Sequence, residues 1–415
     1  MIPSKSIVVP GSPPVDIAPY QPLIDHPRFQ VLRERKQLGV NYLIFPGAVH
    51  TRFEHVIGTL SLTERLCRVH GLPEERRRQL GAFALLHDLG HGPFSHQTEP
   101  ILGGDHHARG LACLDEMMPE LDACGVDRAA LAAMFLGEHP DATLVCDRNL
   151  GTDKLDYLMR DALHIGFPGI PDIERIQFYT VLDQGPLAIE EKYMEEIKRL
   201  QKFYSYLHQH GYLNKTALTA QRMLQRAMQE ALESGALAAE AVWGMGDRQL
   251  LDALERSPSA LARDLVERLL SRRLHASALV LKPGGYGFVE RCSDKPVAVV
   301  EWPLPNLRRF ASLVADNGRL RELEDEFAAA LGLPPGGALF AAMPYFRKLL
   351  PQDVRISSAN SGGGFGLFEK DRDHLRSLEG DYLRTFAVRL VVPREHRERI
   401  SARSEWLGER LAACL

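Results

Sequence analysis

The chain has 415 residues, 45% hydrophobic and 25% charged, enough for a large core plus at least one smaller domain. A formal net charge of −4 argues against broad binding to nucleic-acid backbones, which needs a clearly basic surface. No apolar run approaches the roughly 18 residues needed to cross a bilayer, and the N-terminus lacks a signal-peptide core, so no membrane partner is expected.

Residues 1–21 carry five prolines and read as an extended N-terminal arm. From Ile24 to about Leu270 the pattern is mostly helical, with apolar residues at three- and four-residue steps in 56–70, 79–89, 108–118 and 128–136. The run 187–234 predicts two long helices parted near Gly211. The character changes near His275, where ALVL (278–281), GFVE (287–290), PVAVVEW (296–302) and FAVRLVVP (386–393) predict short strands with helical stretches between them at 305–330 and 395–412. The serine- and glycine-rich stretch Ser357–Gly366 is expected to be a mobile loop. Its three consecutive glycines lack the Lys-Ser/Thr of a phosphate-cradling loop. The predicted fold is mainly α: a helical domain over 22–272 and a small α+β C-terminal domain over 273–415. Six cysteines (Cys67, Cys113, Cys124, Cys146, Cys292 and Cys414) form no CxxC and no regular spacing. Reduced thiols in a cytoplasmic protein are the simplest expectation.

Histidine is the informative residue type. Eight of the sixteen lie between His50 and His107, in or near HTRFEH (50–55), HDLGHGPFSH (87–96) and HHARG (106–110). Imidazole is the commonest protein metal ligand. His87 and Asp88 follow the apolar run AFALL (82–86) and precede Gly90, Gly92 and Pro93. An ionisable pair at the end of a buried helix is costly unless a metal or partner neutralises it. His55 precedes another apolar run, and Asp153 starts DKLDYLMRDALH (153–164), whose Asp153, Tyr157, Asp161 and His164 recur at helical spacing. Two imidazoles and two carboxylates from these segments would hold one divalent cation and leave positions for water and substrate oxygens. The donor set suits manganese, iron, zinc, nickel or magnesium to overlapping degrees.

The H…HD…D set resembles the HD-domain metal-dependent phosphohydrolases. Four segments, HPRFQVLRERKQLG, FPGAVHTRFEHVIGT, LLHDLGHGPFSH and GTDKLDYLMRDALHIG, are similar to the branch that contains the deoxynucleoside triphosphate triphosphohydrolases, over roughly residues 20–225. A sterile-alpha-motif domain, which some members carry, has no room before residue 20. The resemblance implies that His55, His87, Asp88 and Asp153 ligate the metal. It implies that His91, His96, Glu99 and His107 bind phosphate and transfer protons, with Glu99 tuning His96 or His107. It places Arg52, Lys154 and Tyr157 at phosphate contacts, Gln37 and Leu38 near base and sugar, and Asp161 among the substrate contacts. Asp25, Gln30 and Arg33 match positions that bind an activating nucleotide in regulated members. His50 and His106 are expected to support rather than react. The family's base- and sugar-contacting histidine, tyrosine and glutamine fall on Asn214, Leu218 and Thr219, which departs from the pattern. The reaction implied is conversion of a dNTP to deoxynucleoside and triphosphate by a metal- or histidine-activated water, in a homo-dimer or tetramer. A phosphodiesterase or nuclease acting on cyclic nucleotides or short nucleic-acid ends is the alternative. A non-catalytic nucleotide sensor is the third reading.

Overall fold

The helices form where the apolar periodicity puts them, and their ends carry the site. In the computed structural model, residues 5–182, 187–285, 296–342, 349–358 and 363–415 are described. Helix α1 (Arg52–Val69) starts at Thr51, whose hydroxyl accepts from the Glu54 amide at 3.4 Å. Helix α2 (Glu74–Leu86) opens with two glutamates, favourable at a helix N-terminus, and ends at His87. Helix α3 (His106–Glu116) is capped by Asp105, and α4 (Thr152–Ile165) ends at Gly166 in the left-handed conformation. Helices α5 (Met194–Leu207) and α6 (Lys215–Glu233) are the two long helices expected, parted by a wide π-helical turn over His208–Tyr212.

Short strands complete the architecture: β1 (Ser6–Ile7), β2 (Val15–Asp16), β3 (Thr180–Val181), β4 (Ala188–Glu190), β5 (Ala276–Pro283), β6 (Ala298–Trp302), β7 (Leu339–Ala342), β8 (Arg355–Ser358), β9 (Gly363–Gly366) and β10 (Val388–Val392). One sheet runs β6-β5-β10-β7 and another β3-β4-β8-β9, with β5–β6 and β4–β8 parallel and the other pairs antiparallel. The fold is therefore mainly α with small sheets, as the patterning predicts. The expected GFVE strand lies outside the described residues.

Three local expectations meet a different arrangement. The proline-rich N-terminus is a β1–β2 hairpin, and Val9, Val15, Ile17 and Tyr20 are buried in the first core. The two ends of Ser357–Gly366 belong to β8 and β9, which pair from Arg355↔Gly366 to Ser358↔Gly363, while its centre, 359–362, lies outside the described residues. Glycine-rich strands hide the alternation that would have announced them. The apolar cores also do not part at residue 272. The first gathers α1, α2, α4 and α5, whereas α6 packs with the C-terminal sheet in the second, from Leu213 onward.

His275 sits where the helices give way to β5, fully enclosed, with Nε2 donating to the Gly336 carbonyl at 3.0 Å. Burial pushes its imidazole down to about 4. The unfolded chain protonates this histidine below its ordinary pKa near 6.5, while the folded chain does not until about 4. Folding stability should therefore be lost as pH falls through that window, by on the order of 2–3 kcal/mol from this group. In denaturant titrations, His275→Gln should flatten the decline between those pH values. An unchanged slope would remove His275 as its source.

Candidate metal centre

Two buried histidines and the partly exposed Asp153 converge between α1, the end of α2 and the start of α4. His55 Nε2 lies 3.1 Å from Asp153 Oδ1, and His87 Nε2 lies 3.6 Å from the same oxygen. The far nitrogens are fixed from behind: His55 Nδ1 donates to Asp156 Oδ2 at 2.8 Å and His87 Nδ1 to the Ala84 carbonyl at 2.9 Å. Each ring thus presents Nε2 to the same point. Such rear contacts set the tautomer and aim of a metal-ligating histidine. His87 Nε2 is buried and makes no hydrogen bond. A buried, unpartnered imidazole nitrogen aimed at a carboxylate fits a cation-binding group, and the His/Asp donor set fits a divalent ion. Asp88 adjoins the trio, its Oδ2 3.6 Å from His55 Nε2 and its Oδ1 3.5 Å from His87 Nε2, with Arg52 paired to it.

Electrostatics agree with an anionic cluster. Burial opposes protonation of His55, yet its bonds to Asp153 and Asp156 raise it to about 10. His87 is likewise raised, against burial, by Asp88 and Asp153. Burial also opposes ionisation of Asp153, and the neighbouring His55 and His87 hold it well below the usual carboxylate range.

A second histidine cluster lies beside the trio. His91 Nε2 is 3.2 Å from Asp88 Oδ1, and the His91 ring stacks on His106 at 3.9 Å. This closeness depends on Gly90, where a Cβ would stand 1.9 Å from the His106 carbonyl, so α3 can rest directly on the HDLGH turn. Glu99 accepts from His96 Nδ1 at 3.1 Å and from His106 Nδ1 at 2.7 Å. Of the two histidines expected beside it, His96 meets Glu99, and His106 stands in place of His107, which is exposed with its ring 4.1 Å from His106. His96 is open to solvent, its side chain 67% exposed. Although burial opposes it, the bonds from His106 and His96 keep Glu99 well below the usual carboxylate range.

Phosphate-contact expectations fall on both sides of the cluster. Arg52 Nε donates to Ser95 Oγ at 2.6 Å while its other arm meets Asp88. Burial lowers the Lys154 ammonium to about 7, and Nζ lies 3.4 Å above the centre of the Tyr204 ring. Tyr157 is half-buried on the same helix. Asp161 is committed within the protein, accepting from His50 Nε2 at 2.8 Å and from the Tyr212 hydroxyl. Leu38 is buried, and Gln37 Oε1 is a buried atom without a partner. Among the three positions matched to an activating nucleotide, Arg33 donates to Gln30 at 2.8 Å and covers Phe53, whereas Asp25 accepts from Gln21.

The stretch matched to sugar contacts is arranged otherwise than expected. Asn214 caps α6 by accepting from the Thr216 amide, Leu218 is buried in the second core, and the Thr219 hydroxyl donates to the Lys215 carbonyl. The residues facing α4 come one turn earlier, from the π-helical turn: Tyr212 on Asp161, and His208 with its ring 4.3 Å from Tyr204 and 5.0 Å from Tyr212. Burial beside Lys154 lowers the His208 imidazole to about 3. An extra residue in the turn is invisible to a pattern counted at 3.6 residues.

Sequence reasoning also missed Asp156 and Asp247. Asp156 sits three residues beyond Asp153 and, on helical spacing, could have been read as its companion. Asp247 gives no sequence signal. Its carboxylate accepts from the Phe94 amide at 2.7 Å and the Lys36 amide at 2.9 Å. Phe94 and Ser95 both have φ of +56°, a conformation that side chains rarely adopt, and Asp247 holds that turn so that Ser95 meets Arg52.

Comparison with known proteins decides the family. Residues 52–140 match the HD domain and residues 206–317 the HD associated region. This chain carries an HD domain followed by an HD associated region. The HD-domain chain is 29% identical over 257 residues to an uncharacterized protein of Methanocaldococcus jannaschii, covering 61% of this chain and 55% of that one. It is 29% identical over 236 residues to the deoxynucleoside triphosphate triphosphohydrolase SAMHD1 homolog of Dictyostelium discoideum, covering 50% and 45%. The chain thus spans about half the length of these two relatives. In fold it is similar to a phosphohydrolase of Bacteroides thetaiotaomicron, with TM-score 0.70 at 22% identity, covering 94% of this chain and 100% of that one. No helix among the described residues is long and apolar enough to cross a membrane.

His87→Ala and Asp153→Ala each remove a ligand atom from the trio. Elemental analysis of the purified variants should show divalent metal at background, against a stoichiometric amount in the parent. Unchanged metal in either variant would show that the ion sits elsewhere.

Proposed function

We propose that this protein hydrolyses a deoxynucleoside triphosphate to the deoxynucleoside and inorganic triphosphate. The observation that carries the reading is the His55–His87–Asp153 trio flanked by two kinds of machinery: the His91–His96–Glu99–His106 cluster on one side, and Lys154 with Tyr157, Tyr204, His208 and Tyr212 on the other. Similarity to the SAMHD1 homolog supports the same substrate class.

His55, His87 and Asp153, with Asp88 beside them, would hold one divalent cation. When bound, such a cation supplies Lewis acidity toward a phosphoryl oxygen and lowers the pKa of a water. Arg52 and Lys154 gather the charge of the phosphates. An ammonium lowered to about 7 regains its full charge when a polyanion docks, so Lys154 responds to substrate rather than standing permanently charged. His96, open to the cavity and held by Glu99, donates the proton to the leaving oxygen, with His107 at the rim. The deoxyribose lies against the aromatic wall, where Tyr212 and His208 take the tyrosine and histidine places of the family. This removes the apparent departure at Leu218. Asp161, buried and engaged by His50 and Tyr212, holds the Tyr212 ring in that wall rather than meeting the sugar.

Incubation of the metal-loaded protein with each dNTP, followed by ion-pair chromatography, should yield triphosphate and deoxynucleoside in equal amounts. Monophosphate as the product would replace this reading with the phosphodiesterase one, and no product with any nucleotide would favour a sensor. His96→Ala should keep its metal and lose about 10²–10⁴-fold in kcat, the range for a general acid. Full activity in that variant would remove His96 from the reaction.

A further inference from the structure

Arg160 lies on α4 two turns beyond Asp153, and none of its side chain reaches solvent (0% exposed). A guanidinium in such a place is tolerated only when its donors are answered. Nε and Nη2 fork onto Asp156 at 3.0 and 2.8 Å, and Nη1 donates to Glu54 Oε1 at 3.0 Å. The remaining contacts come from the β1–β2 hairpin: the Pro10 carbonyl accepts from Nη1 at 2.7 Å, and Ser12 Oγ accepts from Nη2 at 3.1 Å. Gly58 on α1 leaves the space for this pair, since a Cβ there would stand 1.9 Å from Nη2 and 2.1 Å from Asp156 Oδ1. The same Asp156 carboxylate takes the proton of His55 Nδ1 at 2.8 Å.

We propose that Arg160 is a positioning residue for the metal centre and that the N-terminal hairpin is the strap holding it in place. The inference rests on reading the His55–His87–Asp153 trio as a cation site. The planar fork allows Asp156 one orientation, and that orientation turns His55 Nε2 toward Asp153. The hairpin closes the other side of the guanidinium and keeps water from competing for the fork. Its tip turns through Gly11 at φ +77°, which aims the Pro10 carbonyl and the Ser12 hydroxyl inward while Val8 faces solvent. The N-terminal segment thereby acts on a metal ligand it does not touch.

The test is Mn²⁺ binding to the full-length apo-protein, measured by competition with a chelating dye, together with thermal unfolding of each apo form. Arg160→Lys keeps the charge and loses the fork, so it should bind Mn²⁺ about 10–100-fold more weakly, the usual cost of losing a group behind a ligand. Gly11→Val cannot hold the left-handed turn and should withdraw the strap, weakening Mn²⁺ several-fold while α4 stays intact. A purely structural role would lower the unfolding temperature and leave both binding curves on that of the parent, which would overturn the proposal. Should Arg160→Lys fail to fold, Gly11→Val decides by the same criterion. A parent protein that binds no Mn²⁺ would sink the metal reading itself, an outcome distinct from parent-like binding in the variants.

Discussion

Two buried imidazole nitrogens and a partly buried carboxylate, aimed at one point, set the terms for the rest of the fold. Left alone in a low-dielectric interior they are expensive, because each would keep a proton or a charge that nothing else satisfies. The surrounding structure fixes the rings from behind, through Asp156 and the Ala84 carbonyl. His55 Nε2 meets Asp153 Oδ1 at 3.1 Å, while His87 Nε2 is left without a hydrogen bond, as a group kept for a cation would be.

Holding that point requires backbone elsewhere to take uncommon shapes. Gly90 lets α3 touch the HDLGH turn and stacks His106 on His91. The left-handed pair Phe94–Ser95 is held by Asp247, which lies within the HD associated region, and Arg35 from the same neighbourhood donates to the His91 and Trp243 carbonyls. The associated region is therefore part of the support for the turn that follows HDLGH. Rotating that turn would break the hydrogen bond from the Phe94 amide to Asp247 and separate Ser95 from Arg52.

The mainly helical fold was legible because α1, α2 and α4 carry uninterrupted apolar spacing, and the candidate metal site because histidine beside aspartate at the end of an apolar run has few other uses. What stayed hidden follows from geometry that one-dimensional spacing does not carry. The π-helical turn shifts the register between α5 and α6, so counting residues led to Leu218 where folding presents Tyr212. Glu99 could have served either neighbouring histidine of HHARG, and the cap at Asp105 turns His106 toward it. Asp247 acts across more than a hundred and fifty residues of sequence, a distance at which no local pattern points to a partner. The glycine-rich β9 pairs its backbone without any side-chain alternation to mark it.

The central claim is that the two Nε2 atoms and the two aspartates share one divalent ion. A crystal of the metal-loaded protein, with anomalous data collected on either side of the metal's absorption edge, tests this directly. The account predicts one strong anomalous peak at about 2.0–2.2 Å from His55 Nε2, His87 Nε2 and an oxygen of Asp153, with Asp88 close enough to complete the set. A peak centred among His91, His96, Glu99 and His106, with no density between His55 and His87, would contradict it.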